Sequence, residues 1–287
     1  MHCSPAPLSR SFVLASLLPA SLLLASGPAR ALAPLQPTLD WTLSGAGFAA
    51  GAETSIAPGL RQPLWDRPGN ALLETTYLQA NALVQVTPAY SRGGIELAFQ
   101  PAAVFELRAQ YSVAAYYGLF SAVIPFDDPV AATDPDARAL RPRTWGWGSR
   151  VSVQPTLRAK VGPIAVIGWT TLRWEDIHPQ GLDAPLQYWF QPEMTLLVAQ
   201  SAWTIDSNAL VVYQLPVDGP TVYVGVYGTD RESPSTGDRL DRVGPAGVFT
   251  TANEHWSVYG IVQAYVASRI FQEPLPPYLG VRLQYTL

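Results

Sequence analysis

The sequence predicts an all-β protein, a closed antiparallel up-and-down barrel of about ten strands within a range of roughly 8 to 12. Three observations predict it. Apolar and polar residues alternate with period two over long stretches. Only 14 % of residues are charged, against roughly a quarter in soluble globular proteins, which leaves too little polar surface for a large water-facing exterior. After Leu32 no window supplies the roughly 18 consecutive apolar residues of a spanning helix. Low charge without spanning helices is the composition of a barrel that crosses a membrane with its strands.

The first residues read as an export segment. Arg10 flanks an apolar stretch from Phe12 to Leu24, followed by the small-x-small cleavage candidates Ala29-Arg30-Ala31 and Ala31-Leu32-Ala33. Residues 1–31 are therefore expected to be removed. The only cysteine, Cys3, goes with them, which excludes disulfides and cysteine-ligated metals from the mature chain. Arg10 and Arg30 also go and no acid does, so 18 bases become 16 against 22 acids, a net charge of −6. That balance excludes a nucleic-acid partner, because duplex binding relies on dense Lys and Arg. Residues 32–70 stay open between a periplasmic leader, a segment tucked into the lumen, and extra strands. The barrel is expected over 71–287.

Thr144 to Lys160 shows the alternation best. Trp145, Trp147, Val151, Val153, Pro155, Leu157 and Ala159 share one face, and Arg150, Ser152, Gln154, Thr156, Arg158 and Lys160 lie on the other. From Val104 to Tyr117, Phe105, Leu107, Ala109, Tyr111, Val113, Ala115 and Tyr117 oppose Glu106, Arg108, Gln110 and Ser112. Strands are expected at 71–89, 94–100, 104–117, 144–160, 164–175, 186–200, 207–229, 239–251, 256–271 and 277–287. Tyr90-Ser91-Arg92-Gly93-Gly94, Pro101-Ala102-Ala103 and Val161-Gly162-Pro163 are read as turns. Pro216-Val217-Asp218-Gly219-Pro220 reads either as a hairpin turn or as an irregularity inside one strand. Gly118 to Arg143, Asp176 to Pro185 and Thr229 to Arg239 are longer loops. With both termini periplasmic, these fall on the outside and the tight connections near 102, 162 and 253 on the periplasmic side.

Aromatics near strand ends, Tyr90, Tyr116, Tyr117, Phe120, Trp145, Trp147, Trp174, Tyr188 and Tyr278, are placed as interfacial girdles are. The charges on the polar faces, Glu106, Arg108, Arg150, Arg158, Lys160, Arg173, Glu175, Glu193 and Arg282, would then line the lumen. The last strand alternates Leu279, Val281, Leu283, Tyr285 and Leu287 against Gly280, Arg282, Gln284 and Thr286. It resembles the C-terminal strand of Gram-negative outer-membrane β-barrels, although that family ends in an aromatic residue and this chain in Leu287. The resemblance covers 71–287, is one of architecture, and implies location in the cell outer membrane, contact with membrane lipid, and recognition by the barrel-assembly machinery through the last strand.

Three functional readings follow. The first is a narrow pore for passive transfer of ions or small solutes. The second is a non-conducting structural or surface-interaction barrel acting through its outer loops. The third is a secreted soluble ligand-binding β-protein with the faces reversed. No cofactor or metal site is expected: Asp127, Asp128, Asp134 and Asp136 cluster in the longest loop but lack EF-hand spacing. Catalysis has weak support. His178 follows Glu175 and Asp176 at an outer rim, where an acid and a histidine can activate water. Ser207-Asn208-Ala209 resembles part of the His-x-Ser-Asn-Ala motif of lipid A deacylase barrels, but Ile205 stands where the activating histidine belongs. The other mature histidine, His255, falls in a periplasmic turn.

Overall fold

The computed structural model describes residues 34–46, 51–65, 72–73, 75–117, 123–126, 144–181, 187–191, 193–268 and 277–287. Among them are fifteen strands: β1 (Gln36–Ala46), β2 (Gly51–Pro63), β3 (Tyr77–Val86), β4 (Tyr90–Ala102), β5 (Phe105–Tyr116), β6 (Pro125–Phe126), β7 (Gly146–Val161), β8 (Ile164–Pro179), β9 (Tyr188–Gln191), β10 (Leu196–Ala199), β11 (Ser201–Gln214), β12 (Thr221–Ser233), β13 (Asp238–Thr250), β14 (Trp256–Ser268) and β15 (Tyr278–Thr286). All but β6, β9 and β10 form one closed antiparallel barrel, with β1 paired to β15 from Asp40↔Thr286 to Ala46↔Gly280. Closure leaves no sheet edge with unpaired backbone groups.

The faces follow from the period of the strand. In β3, Gln79, Asn81 and Gln85 are buried while Leu78, Val84 and Val86 are exposed. In β7, Arg150, Ser152 and Thr156 are buried while Trp147, Val151, Val153 and Leu157 are exposed. The polar face thus points into the barrel and the apolar face points out, the reverse of a soluble β-protein. Tight connections at Ala103–Val104 and Gly162–Pro163 lie on the rim that holds both ends of the barrel. Gly162 takes φ +57° at one of them, a conformation that costs a side chain strain. The longer connections after β5 and β8 leave from the opposite rim.

Several expectations need correction. The barrel has twelve strands and starts at Gln36 rather than 71, because β1 and β2 occupy the stretch left open as 32–70. Residues 207–229 are two strands, β11 and β12, separated by a turn at 215–220 in which Gly219 takes φ +91°. The described residues of 186–200 contain no barrel strand, since β8 pairs directly with β11 from Ser201↔Asp176 to Tyr213↔Ile164. The turn expected at Tyr90–Gly94 lies earlier, at Thr87-Pro88-Ala89. There Thr87 Oγ1 accepts bonds from the backbone N–H of Ala89 (3.1 Å) and Tyr90 (2.9 Å), and β4 begins at once. The loop expected at Thr229–Arg239 shrinks to 234–237, as β12 and β13 run on to Ser233↔Asp238. The export segment 1–31, Phe120 and the acidic run Asp127 to Asp136 lie outside the described residues.

The remaining strands form a small sheet in the order β10-β9-β6, inserted at the rim that carries the longer connections. Its β9–β10 hairpin enters the barrel mouth. Trp189, Met194, Leu196 and Val198 are almost fully buried there and pack with Tyr90, Ala114, Tyr116, Ile177 and Leu240 of the barrel wall. On the other side, Phe126, Ile124 and Leu197 form a second apolar cluster with Tyr188 and Phe190. The apolar core therefore sits in the mouth of the barrel, and the polar wall lies below it.

Candidate functional site in the lumen

The hairpin tip carries the central residue of the lumen. Between β9 and β10, Gln191 Oε1 accepts from the backbone N–H of Met194 (2.5 Å) and Thr195 N–H donates to Gln191 O (2.9 Å). Thr195 takes φ +60°, which is rare for a β-branched residue and marks a tip held by its surroundings. Glu193 at this tip accepts three guanidiniums: Arg150 Nη1 at 2.7 Å and Arg92 Nη2 at 3.1 Å on Oε2, and Arg173 Nη2 at 3.1 Å on Oε1. Arg231 Nη1 donates to the main-chain oxygens of Glu193 (3.0 Å) and Met194 (3.2 Å), which fixes the backbone as well as the side chain.

The wall completes this cluster. Arg150 Nη2 donates to Glu175 Oε1 at 3.0 Å, and Tyr116 Oη donates to the same oxygen at 2.5 Å. Arg92 Nη1 donates to Gln85 Oε1 at 2.8 Å. A buried charge is costly unless paired and hydrogen-bonded, so these bonds are a condition of the cluster's existence. Burial pushes the Glu193 carboxyl up, but the guanidiniums of Arg150, Arg173 and Arg92 outweigh it and hold the group well below the usual carboxylate range. Tyr116→Phe keeps the ring and removes the donor to Glu175. It is expected to cost about 1–3 kcal/mol, as a buried carboxylate loses a bond. Denaturant unfolding of the folded barrel checks this, and an unchanged midpoint counts against it.

A second cluster lies nearer the rim that holds the barrel ends. Glu106 accepts from Tyr77 Oη (2.7 Å), Arg158 Nη2 (2.8 Å) and Arg108 Nε. Arg108 Nη1 also meets Glu96 Oε1 at 3.5 Å, and Asn81 Nδ2 donates to that oxygen at 3.1 Å. A cavity of 220 Å³ adjoins both clusters and is lined by Arg92, Arg150, Arg173 and Glu193 of one and by Glu96 and Arg108 of the other.

The predicted lumen residues Glu106, Arg108, Arg150, Arg158, Lys160, Arg173, Glu175 and Arg282 occupy inward positions of β5, β7, β8 and β15. Lys160 stands at the rim, where its Nζ donates to Gln214 Oε1 at 2.7 Å. Glu193 reaches the lumen from the inserted hairpin and not from a barrel strand. Three lumen residues escape the sequence reading: Arg92 falls in the expected turn 90–94, Arg231 in the expected loop 229–239, and Asp206, which meets Arg231 Nε at 3.5 Å, between the expected strands 186–200 and 207–229. Arg242 is a further buried guanidinium, stacked 4.1 Å over the Tyr278 ring.

Of the expected girdle, Tyr117, Trp145 and Trp147 are exposed, and Trp174 lies opposite the exposed Trp203 on the outward face. Tyr90 and Tyr116 instead point inward, 3 % and 1 % exposed, as does Tyr278, which shares a face with buried Gly280. Adjacent residues of a strand face opposite ways, so Tyr116 and Tyr117 can never both be outward. Tyr188 belongs to the inserted sheet. A second set of outward aromatics, Trp41, Trp256 and Tyr285, clusters near the rim of the barrel ends.

His178 and Asp176 pair at 3.1 Å on the outward face of β8, with the imidazole stacked on Trp147, while Glu175 faces the lumen. The three do not converge on one point. Ser207 lies 3.1 Å from Thr170 Oγ1 on the outward face of β11. His255 Nδ1 meets Thr286 O at 3.0 Å at the rim of the barrel ends.

Fold and lumen together define a β-barrel with inverted polarity and a folded-in hairpin. No protein-family model matches the chain, and no curated protein does. Among solved structures it resembles outer-membrane β-barrels. It is similar to the KdgM porin in complex with disordered oligogalacturonate at 10 % identity, over 86 % of this chain and 98 % of that one, with a TM-score of 0.38. The β domain of the Bordetella autotransporter BrkA is 9 % identical over 88 % and 98 %, TM-score 0.46. The NanC porin is 8 % identical over 86 % and 98 %, TM-score 0.41.

Proposed function

We propose that the protein is an outer-membrane β-barrel acting as a narrow pore for ions or small solutes, its aperture set by the β9–β10 hairpin. The observation that carries this reading is the inverted polarity. Leu97, Tyr111, Val113, Leu157, Leu172 and Val226 are among the large apolar side chains exposed on the outward face of one barrel strand after another, where a soluble monomer seldom shows large contiguous apolar patches. The inward face is lined by charges. A soluble ligand-binding β-protein needs the opposite assignment of faces. Twelve strands enclose more than the eight whose side chains fill a barrel, and fewer than the 16 to 18 of an open porin. The last strand, β15, is where assembly machinery is proposed to engage the chain.

The apolar core in the mouth favours a second reading, a non-conducting barrel working through its loops. Planar-bilayer recording separates the two. The mature protein is expected to give small, infrequent currents, and replacement of 187–200 by a short Gly-Ser linker to give larger and steadier ones. Silence in both leaves the non-conducting barrel as the answer.

A further inference from the structure

The 220 Å³ cavity beneath the hairpin tip carries four arginines, Arg92, Arg108, Arg150 and Arg173, against two acids, Glu96 and Glu193. Glu175 and Glu106, just outside the lining, pair with Arg150 and Arg108, so Arg92 and Arg173 are the guanidiniums that share the one carboxylate of Glu193. Arg173 is 8 % exposed and spends only Nη2 on Glu193, leaving its buried Nε and Nη1 without a hydrogen-bond partner among the described residues. Arg150 Nε and Arg92 Nε are in the same condition. Buried donors of a cation are seldom left so, and each unmade bond is a cost that a ligand can remove. The remaining lining adds neutral hydrogen-bonding groups, Ser152, Gln154 and Thr171 among them.

We infer that this cavity is a binding site for a small oxyanion, a sulfate, phosphate or short carboxylate, held by the free donors of Arg173 and centred beside Glu193. Its volume lies below the roughly 300–1,000 Å³ of sites for drug-sized ligands, which restricts the occupant to a small group. A planar guanidinium matches oxyanion geometry, and charge-assisted bonds are roughly twice as strong as neutral ones. The Glu193 carboxylate already occupies one side of the same three guanidiniums. It is a resident negative charge on the same guanidiniums, so it opposes an incoming anion beside it. The inference deepens the pore reading by naming the class of solute, but the site stands or falls by itself.

The test titrates sodium sulfate into the full mature chain, folded in detergent, at constant ionic strength in sodium chloride, with heat read by calorimetry. Wild type is expected to bind saturably. Arg173→Gln is expected to weaken binding by about tenfold or more, and Glu193→Gln, which frees the guanidiniums, to tighten it by about as much. Arg282→Gln, outside the cavity, is expected to change nothing. The opposite signs at Arg173 and Glu193 keep the test informative even if one variant fails to fold. No saturable heat in wild type overturns the site, as does equal weakening by Arg173→Gln and Arg282→Gln, which means diffuse attraction. Sulfate binding in a protein without bilayer conductance removes the pore and keeps the site; conductance without binding does the reverse.

Discussion

Glu193→Ala is expected to raise the fraction of time the barrel conducts by a hundredfold or more, with the barrel itself intact. The substitution removes one carboxylate from three guanidiniums, those of Arg92, Arg150 and Arg173, whose side chains are 3 %, 5 % and 10 % exposed, and of these Arg150 keeps Glu175. Breaking a buried pair by removing one partner costs about 3–5 kcal/mol, because the remaining charge is uncompensated. The apolar contacts of Trp189, Met194, Leu196 and Val198 persist, each about 1.5–3 kcal/mol as an upper bound. Their sum exceeds the lost latch, so the hairpin stays docked in most molecules and opens more often. Single-channel recording measures the open fraction, and heat-modifiability on a gel reports that the barrel survives. An open fraction equal to that of wild type shows that the latch does not hold the hairpin. Glu193→Gln, which keeps the shape and removes the charge, is expected to behave like alanine.

The same latch has a pH signature. The Glu193 carboxyl is held below its ordinary value of 4.5 by the surrounding guanidiniums. A depressed carboxyl contributes stability that is fully present above its unfolded value and is lost as pH falls through its folded value. Docking is therefore expected to be unchanged from neutral pH down to the ordinary carboxylate range and to weaken only well below it. Opening near neutral pH would point to a different group.

What the chain showed in advance was what depends on neighbours in sequence. Strands with one polar and one apolar face impose period two, so spacing alone puts Arg150, Arg158 and Lys160 of β7 on one face and Glu106 and Arg108 of β5 on one face. That this face is the inward one does not follow from spacing and rests on the low charge of the whole chain. Strands β1 and β2 were harder. Gly45, Pro58 and Gly59 interrupt their pattern, and residue-level alternation gives no hint that β1 closes against β15 at the far end of the chain. The stretch 186–200 has the apolar content of a strand but contains Pro192, which removes a ladder donor and argues against a central strand. Reading it as one strand too many, and 207–229 as one too few, preserved the parity. The longer connections after 117 and 175 share one rim because two strands, β7 and β8, lie between them, and the unread β1 and β2, being a pair, leave that rim opposite the barrel's start. Glu193 shows the limit. Its partner Arg92 is 101 residues away, and only the folded hairpin brings them together.

Leu97→Arg tests the membrane reading at its base, and a loss of about 2–4 kcal/mol is expected for protein folded into phospholipid vesicles. Leu97 lies near the middle of β4, half exposed on the outward face, with Ala80 and Ala109 as its cross-strand partners. An arginine there faces lipid at the depth where its desolvation is greatest. The adjacent residue gives the internal comparison. Glu96 points inward, meets Arg108 at 3.5 Å and accepts from Asn81 Nδ2 at 3.1 Å. Glu96→Gln keeps an acceptor for Asn81 and gives up only a long, partly solvated ion pair, a change of about 1 kcal/mol or less. Urea unfolding from vesicles is therefore expected to rank the apolar position as the costlier of two neighbours. In a soluble β-protein the order reverses, since Leu97 would face water and Glu96 the core. A Leu97→Arg variant within about 0.5 kcal/mol of wild type would remove the bilayer from the account and the pore with it, while the oxyanion site in the lumen would remain open to measurement.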